Sequence, residues 1–528
     1  MRALLLLLCV ATGWCAEMIP FATEADLTGW QVELGTWQIV DGALLVNEPG
    51  ARRCAIWRPK AAYQDLDIAV EFRAYPDGNG VRAPGIIYRA RNQHEYNYIH
   101  FDHLNQQVVW VRSERGQEWA EARRHKAQLK LNEWTRARVV VRGDIHEVYL
   151  NDTLLFTEKS PQVAAGVLGL RAGQGKIAFR NLRIEGNPVP IDPPFTVQPP
   201  PWVNVCTDAG AGAYEAFPDI CRTPTGELLC VFYAGYAHVS VPSPALPRGA
   251  RICLCRSRDN GVTWSPAEVV VDSPIDDRDP SITYLPTGEL LVTYMSYDPG
   301  RRPGTHQVFT VRSSDNGHTW SEPARVPTPF TANEAVSNPA VLLSDGRLLL
   351  PCYGMMRENT GPRYVAAVLE SRDLGRTWRT LSTLGSAKEE LDEPTLAELP
   401  DGRLLLITRP TMLWFESTDG GKSWSPPQPM PTSGDAPYLL LTSKRLLLCG
   451  FRYRPHAATC LITSRNLGRT WSDRIVLDSV GGAYPSMVEL PDGRIVVVYY
   501  TEGSGSDVRC LQLRADDAGV TILDHPQP

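Results

Sequence analysis

Several things are missing from this chain, and each absence narrows the reading. No long helical periodicity appears in residues 18–186, which leaves an all-β reading for that stretch. After an apolar run at Leu4 to Leu8 no segment is apolar for long enough to span a bilayer as a helix. The net charge is −6, with acidic and basic residues interspersed. Without a basic stripe, nucleic acid is not expected as a partner. Cys253-x-Cys255 has no second pair and no histidine cluster nearby, so no zinc site is expected, and nothing else in the sequence calls for a metal or cofactor. Cys230, Cys253, Cys255, Cys352 and Cys449 lie inside apolar strand runs and read as small buried hydrophobes rather than a disulfide framework. Met1-Arg2 followed by Leu4 to Leu8 looks like a signal peptide over residues 1–16, which predicts a secreted or periplasmic protein.

What is present is repetition. Five variants of one eight-residue phrase recur: Ser257-Arg-Asp-Asn-Gly-Val-Thr-Trp264, then Ser313 to Trp320, Ser371 to Trp378, Ser417 to Trp424 and Ser464 to Trp471, the last with Asn466 in place of Asp. Each member has a structural use. The Asp carboxylate accepts nearby amides as in an Asx-turn, Gly takes positive φ cheaply, and Trp fills space between neighbouring units. A second phrase, Pro-x-x-x-x-Leu-Pro-Asp/Thr-Gly-x-Leu-Leu, begins at Pro218, Pro280, Pro339, Pro394, Pro437 and Pro485, six copies in all. It reads as strand, tight turn, strand. The fifth copy has Ser443-Lys444 where the others carry a turn glycine, which leaves its hairpin the weakest.

One hairpin of each kind makes a four-stranded unit, and six units make a six-bladed β-propeller over residues 202–520. The sixth blade lacks its outer strand, and Trp202 to Cys206 is expected to supply it, closing the ring between the chain ends. A Pro-rich linker, 187–201, precedes the propeller. Residues 18–186 read as a separate all-β sandwich, with Val148 to Phe156 a hairpin turning at Asn151-Asp152. Tyr88, Tyr96, Tyr98, His100 and Trp110 are either a sugar-binding face of that sandwich or part of its core.

Trp30 to Gly42, Gly85-Ile-Ile-Tyr88, Tyr96 to Phe101 and Phe179 to Ile184 resemble the concanavalin-like jelly rolls and the 3-keto-disaccharide hydrolase domain. The eight-residue phrase resembles the Asp-box of neuraminidase repeats, and the C-terminal region resembles the sialidase superfamily of six-bladed propellers. That resemblance implies an active site in the axial funnel. Residues just before each repeat proline are Phe217, Asp279, Asn338, Glu393, Ala436 and Tyr484; seven after the turn glycine stand Tyr233, Met295, Tyr353, Arg409 and Tyr500. By the resemblance, Tyr484 is the nucleophile, Glu393 the base that activates it, and Arg409 and Arg452 clamp a substrate carboxylate. Counting along the fifth copy places Phe451 level with Arg409, with Arg454 a rival to Arg452.

Two departures stand out. Ala216-Phe217-Pro218 replaces the family's Arg-Ile-Pro, removing one clamp arginine, and Tyr236 to Gly249 holds no Asp or Glu where the family has its acid/base Asp. Asp219, His238 and Asp276-Asp277-Arg278-Asp279 are the nearest substitutes. Arg278 is taken as the replacement clamp member, Asp277 or Asp279 as the acid, and Asn338, Tyr353 and Asp219 as substrate contacts. The expectation is a glycoside hydrolase acting on an acidic sugar of a glycan or glycoconjugate. Two alternatives stay open: hydrolysis or elimination on uronic-acid or other glycans, and a non-catalytic glycan-binding propeller.

Overall fold

The computed structural model of the chain describes residues 15–48, 54–76, 82–114, 117–160, 164–173, 175–191, 194–198, 200–300, 305–358, 361–385, 389–454, 458–502, 506–516 and 519–528. Most of the segment expected to be a leader lies outside these residues; the strand Cys15–Ile19 begins at its end. The chain forms two compact units, Met1–Pro199 and Pro200–Pro528. Among the described residues no helix is long and apolar enough to cross a membrane.

The first unit is a jelly-roll-like sandwich organised by one long strand, Cys54–Ala74. Its first half pairs with Gly166–Ala172 and Gln31–Leu34, its second half with Thr135–Arg142 and Gly175–Val189. One strand thus serves both sheets. The expected hairpin forms, and Asn151 and Asp152 both take left-handed φ, 46° and 64°, as its two-residue turn requires. Alternation divides the aromatics between two clusters. Tyr88 and Trp110 belong to the main core, where Trp110 Nε1 donates to Tyr88 Oη at 3.1 Å. Tyr96 and Tyr98 point the other way and pack with Trp57, Phe195, Ile191 and Val197. The segment carrying Phe195 is tied down by Val197 N to Gln31 Oε1 (2.9 Å) and Gln198 N to Gln93 Oε1 (2.6 Å). All four of these core aromatics are therefore packed by the unit itself.

The second unit is the propeller. Its blades start at Tyr214–Arg222, Asp276–Tyr284, Ala332–Ala335, Asp392–Glu398, Asp435–Leu441 and Ala483–Glu489. Each pairs outward in chain order within its own sheet. Trp202–Cys206 does close the ring: it pairs antiparallel with Val508–Asp516 as the outer strand of blade six, Trp202 opposite Leu511. Gly519–Ile522 takes the remaining length of the same edge, so among the described residues the outer edge of Val508–Asp516 is covered.

The eight-residue phrases act as turns. In the third copy Asp373 Oδ1 accepts the Arg376 and Thr377 amides at 3.1 and 2.8 Å and Oδ2 accepts Thr377 Oγ1 at 2.6 Å. Asn466 does the same work in the last copy, accepting the Thr470 amide at 2.8 Å and donating to Thr470 Oγ1 at 2.9 Å. The fifth inner hairpin also forms, with Arg445 at φ 63° in the position glycine holds elsewhere.

Candidate active site

At five blade entries the residue before the repeat proline is left-handed: Phe217, Asp279, Glu393, Ala436 and Tyr484, with φ between 46° and 51°. The inner ladder slips at each of these points, for example between Asp392 and Thr395 and between Ala483 and Ser486. Proline has no amide hydrogen to give the ladder, so a bulge there forfeits little pairing. Left-handed φ costs about 1–2 kcal/mol for a residue with a Cβ, and its repetition builds a ring of side chains displaced from the strand pattern. Blade three differs. Its first strand is interrupted, Asn333 rather than Asn338 takes positive φ, and Asn338 is buried with Nδ2 donating to Pro394 O at 3.2 Å.

The partners across the inner hairpins form a second ring. Ala216, Arg278, Asp392, Asp435 and Ala483 face Tyr233, Met295, Arg409, Arg452 and Tyr500. This corrects the count that put Phe451 level with Arg409. The turn residue of the fifth hairpin is left-handed Arg445, one position later than Ser443-Lys444 suggested, and seven residues on from it is Arg452. Phe451 is wholly buried in the blade.

Tyr484, Glu393 and Arg409 come together. Tyr484 Oη donates to Glu393 Oε1 at 2.5 Å, and Arg409 Nε lies 2.7 Å from Glu393 Oε2. The second contact is an ion pair without hydrogen-bond alignment, so charge rather than direction holds it. Desolvation pushes the Tyr484 hydroxyl well above the ordinary tyrosine range, and the charges of Glu393 and Asp279 push it further. Its proton therefore stays on at neutral pH unless a base takes it, and Glu393 is the group in contact. Burial works against the charge on Arg409, but Glu393 together with Tyr484, Tyr353 and Asp392 more than offsets that. Arg409 Nη1 also lies 3.8 Å from Asp435, whose other oxygen accepts from Arg454 Nε. Asp435 was not singled out from the sequence; its position before Ala436, matching Asp392 before Glu393, was the available signal.

Arg452 binds elsewhere on the rim. Its Nε donates to Gly482 O, its Nη2 donates to Tyr500 Oη at 2.8 Å, and its guanidinium lies over the Tyr484 ring at 5.6 Å. Tyr500 Oη donates on to Glu502 at 2.8 Å, another group that sequence reasoning missed, because it lies past the strand end. Tyr353 is buried, and burial and then the charges of Glu393 and Asp279 raise its hydroxyl well above the usual range.

Of the acidic cluster in blade two, Asp279 and Arg278 reach the site and Asp277 does not. Arg278 Nε donates to Asp279 at 3.0 Å, with Asp276 at 3.5 Å. Burial pushes Asp279 up to about 6 against the pull of Arg278. Asp277 accepts from the Ser273 amide (2.7 Å), Ser273 Oγ (2.8 Å) and Ser296 Oγ (2.6 Å); strand alternation points it away from its two neighbours. Asp219 is likewise buried and committed, to Ser486 Oγ and the Ile282 amide, although it lines the narrow axial cavity with Phe217, Asp279, Asn338, Ala436 and Tyr484. That cavity holds a free volume of ≈ 10 Å³, room for about one water.

Phe217 fills the position where the resemblance calls for arginine. Its ring centroid lies 5.1–5.4 Å from those of Tyr484, Tyr500, His238 and Tyr233, and Arg278 lies over its face at 5.4 Å. Blade one thus presents an aromatic wall to the funnel and brings in Arg278 from blade two.

Residues 248–497 match the BNR repeat-like domain family, and residues 19–185 match the 3-keto-alpha-glucoside-1,2-lyase-like domain. The first match falls within the propeller unit and the second within the sandwich unit. Its curated relatives include a sialidase of Micromonospora viridifaciens, 28% identical over 367 residues, covering 60% of this chain and 54% of the relative. A sialidase of Paraclostridium sordellii is 26% identical over 206 residues, 34% of this chain and 50% of the relative. The chain thus spans about half the length of the curated relatives it matches. Among solved structures, a Dyadobacter fermentans protein of unknown function superposes with a TM-score of 0.50 at 20% identity, over 56% of this chain and 93% of that one. A Hadza microbial sialidase superposes with a TM-score of 0.50 at 15% identity, over 94% of this chain and 98% of that one. At such identities these structures speak for the fold of the BNR-repeat propeller, not for its chemistry.

Proposed function

We propose that the funnel is the active site of an exported glycoside hydrolase that cleaves an acidic sugar from a glycan, with sialic acid the first candidate on the likeness to sialidases. The observation that carries the reading is the contact of Tyr484 Oη with Glu393 Oε1 at 2.5 Å, with Arg409 2.7 Å from the other carboxylate oxygen. Tyrosine is a weak nucleophile while protonated and needs an adjacent base. Tyr484 Oη attacks the anomeric carbon as Glu393 takes its proton, and the bond to the leaving oxygen breaks. A neutral nucleophile also avoids repulsion by an anionic sugar; tyrosine nucleophiles are the recognised sialidase exception among glycosidases. Arg409 uses its Nε edge toward Glu393, and the NH₂ groups of its planar fork suit a substrate carboxylate.

The test is turnover of an aryl α-sialoside by the protein and by Tyr484→Phe, with an aryl β-glucuronide alongside. Loss of sialoside turnover by several orders of magnitude in the variant is expected; equal turnover overturns the mechanism. One observation favours a second substrate class. Phe217 stands where a third clamp arginine is called for, and Asp276, Asp279 and Asp392 add negative charge around the funnel. Glucuronide turnover without sialoside turnover selects uronic acids, and silence on both selects the glycan-binding reading.

A further inference from the structure

The loop from Tyr236 to Gly249 contains no carboxylate, yet it delivers one titratable group to the funnel, His238, a residue exposed as a whole whose imidazole packs inward against Tyr214 and Phe217. The loop is well anchored. Buried Ser240 Oγ accepts the amides of Tyr236 (2.9 Å) and Ala237 (3.0 Å), and Tyr233 Oη donates to Ala237 O at 2.9 Å. The imidazole packs edge-on against Phe217, with centroids 5.2 Å apart, and the same Phe217 ring touches Tyr484 at 5.1 Å. The histidine and the candidate nucleophile therefore share one aromatic neighbour.

The hydrogen bonds around His238 point to one tautomer. Tyr214 Oη donates to Glu502 Oε1 at 2.7 Å, and His238 Nδ1 lies 3.0 Å from the same Tyr214 oxygen. A phenol has one hydrogen. With that hydrogen given to Glu502, Nδ1 must donate to Tyr214. Nε2 is then the ring atom that gains and loses a proton.

We propose that His238 Nε2 is the proton donor to the leaving oxygen of the bound glycan, with Tyr214 and Glu502 as positioning residues that fix its tautomer. This rests on the glycosidase reading of the funnel. As the glycosidic bond breaks, its electron pair goes to the leaving oxygen, which takes the Nε2 proton. In the second half a water oxygen bonds to the anomeric carbon as the bond to Tyr484 breaks. Neutral Nε2 takes the water's proton, and Tyr484 recovers its own from Glu393. Asp279 suits the donor role less: it is almost wholly buried, 4% exposed, and Arg278 Nε donates to one of its oxygens.

Burial, Arg278 and Arg452 pull His238 below the usual histidine range, against Glu502 and Glu393; Tyr214 and Phe217 complete its surroundings. Cleavage that needs this donor should therefore favour mildly acidic pH and fade as His238 loses its proton.

The test uses the full chain on two sialosides: 4-methylumbelliferyl α-sialoside, whose leaving group departs without a proton, and sialyllactose, whose sugar leaving group needs one. His238→Ala and His238→Gln, checked for an unchanged thermal midpoint, should lose roughly 100-fold or more on sialyllactose and far less on the aryl sialoside, as expected for removal of a general acid. Equal losses on both, or the selective loss appearing in Asp279→Asn instead, overturn the proposal. Wild-type silence on both sialosides and on the aryl β-glucuronide removes the glycosidase reading and the donor role with it. Nitrogen-15 NMR of the free protein tests the tautomer separately from substrate: Nδ1–H is expected, lost to a mixture in Tyr214→Phe. Nε2–H in the wild type overturns the positioning role.

Discussion

Ser486 of blade six donates to Asp219 of blade one at 2.5 Å, and the second Asp219 oxygen accepts the Ile282 amide of blade two at 2.7 Å. One buried carboxylate thus links three blades beneath the funnel. Its sequence position beside Phe217-Pro218 suggested a substrate contact, but both its oxygens are taken by the scaffold.

Burial raises Asp219 to about 6, and Asp279 and Asp392 likewise to about 6. Unfolded aspartates titrate near 3.9. A raised folded-state value means that the folded protein binds more protons between those two points, so this contribution to stability is whole below the unfolded value and is lost as pH rises through about 6. The thermal midpoint should therefore rise on going from pH 7 to pH 5. Asp219→Asn should flatten part of that slope, and an identical slope in the variant would count against the assignment. Asp219→Ala, which leaves Ser486 and the Ile282 amide without their acceptor, should cost about 1–3 kcal/mol in denaturant unfolding.

Arg409 is expected to act on the substrate carboxylate. Arg409→Lys keeps a charge but loses the planar fork. A lost charge-assisted hydrogen bond is worth about 1.5–3 kcal/mol, so KM for an acidic sugar should rise about 10- to 100-fold, while the sugar's methyl ester suffers much less. Unchanged discrimination between acid and ester would assign Arg409 to Glu393 alone.

The Asp-box turns predict a contrast contained in the chain itself. Asn466 keeps its turn by the same amide contact that Asp373 makes. Asp373→Asn should accordingly be close to neutral, whereas Asp373→Ala, which removes the acceptor of two amides and two hydroxyls, should destabilise by about 1 kcal/mol. Equal unfolding midpoints for all three proteins would show that the turn holds without its acceptor.

The architecture was legible because it is written in repeats. Each copy of the two phrases specifies a hairpin locally, through a turn residue with positive φ and flanking apolar runs, and the missing outer strand of blade six pointed to Trp202 to Cys206. Tyr484, Glu393 and Arg409 were reachable because the repeats supply a common register. Arg445 marks where that failed: a turn built on arginine rather than glycine shifted the count by one and put Phe451 where Arg452 belongs. Asp277, Asp279 and Arg278 were not separable by spacing, because a bulge and strand alternation decide which of three adjacent charges turns to the axis.

The sequence alone determined the number of blades, their hairpins, the ring closure and the separate N-terminal sandwich, since each follows from contacts between residues near one another or from a counted repeat. Only the tertiary structure decided which polar side chains share the funnel. Glu502 lies 288 residues from Tyr214 along the chain and meets it beside His238 because closing the ring sets blade six against blade one. Likewise Phe217, rather than an arginine, meets Tyr484 from the neighbouring blade. No local pattern encodes such neighbours, because their distances depend on how six separately specified sheets pack around one axis.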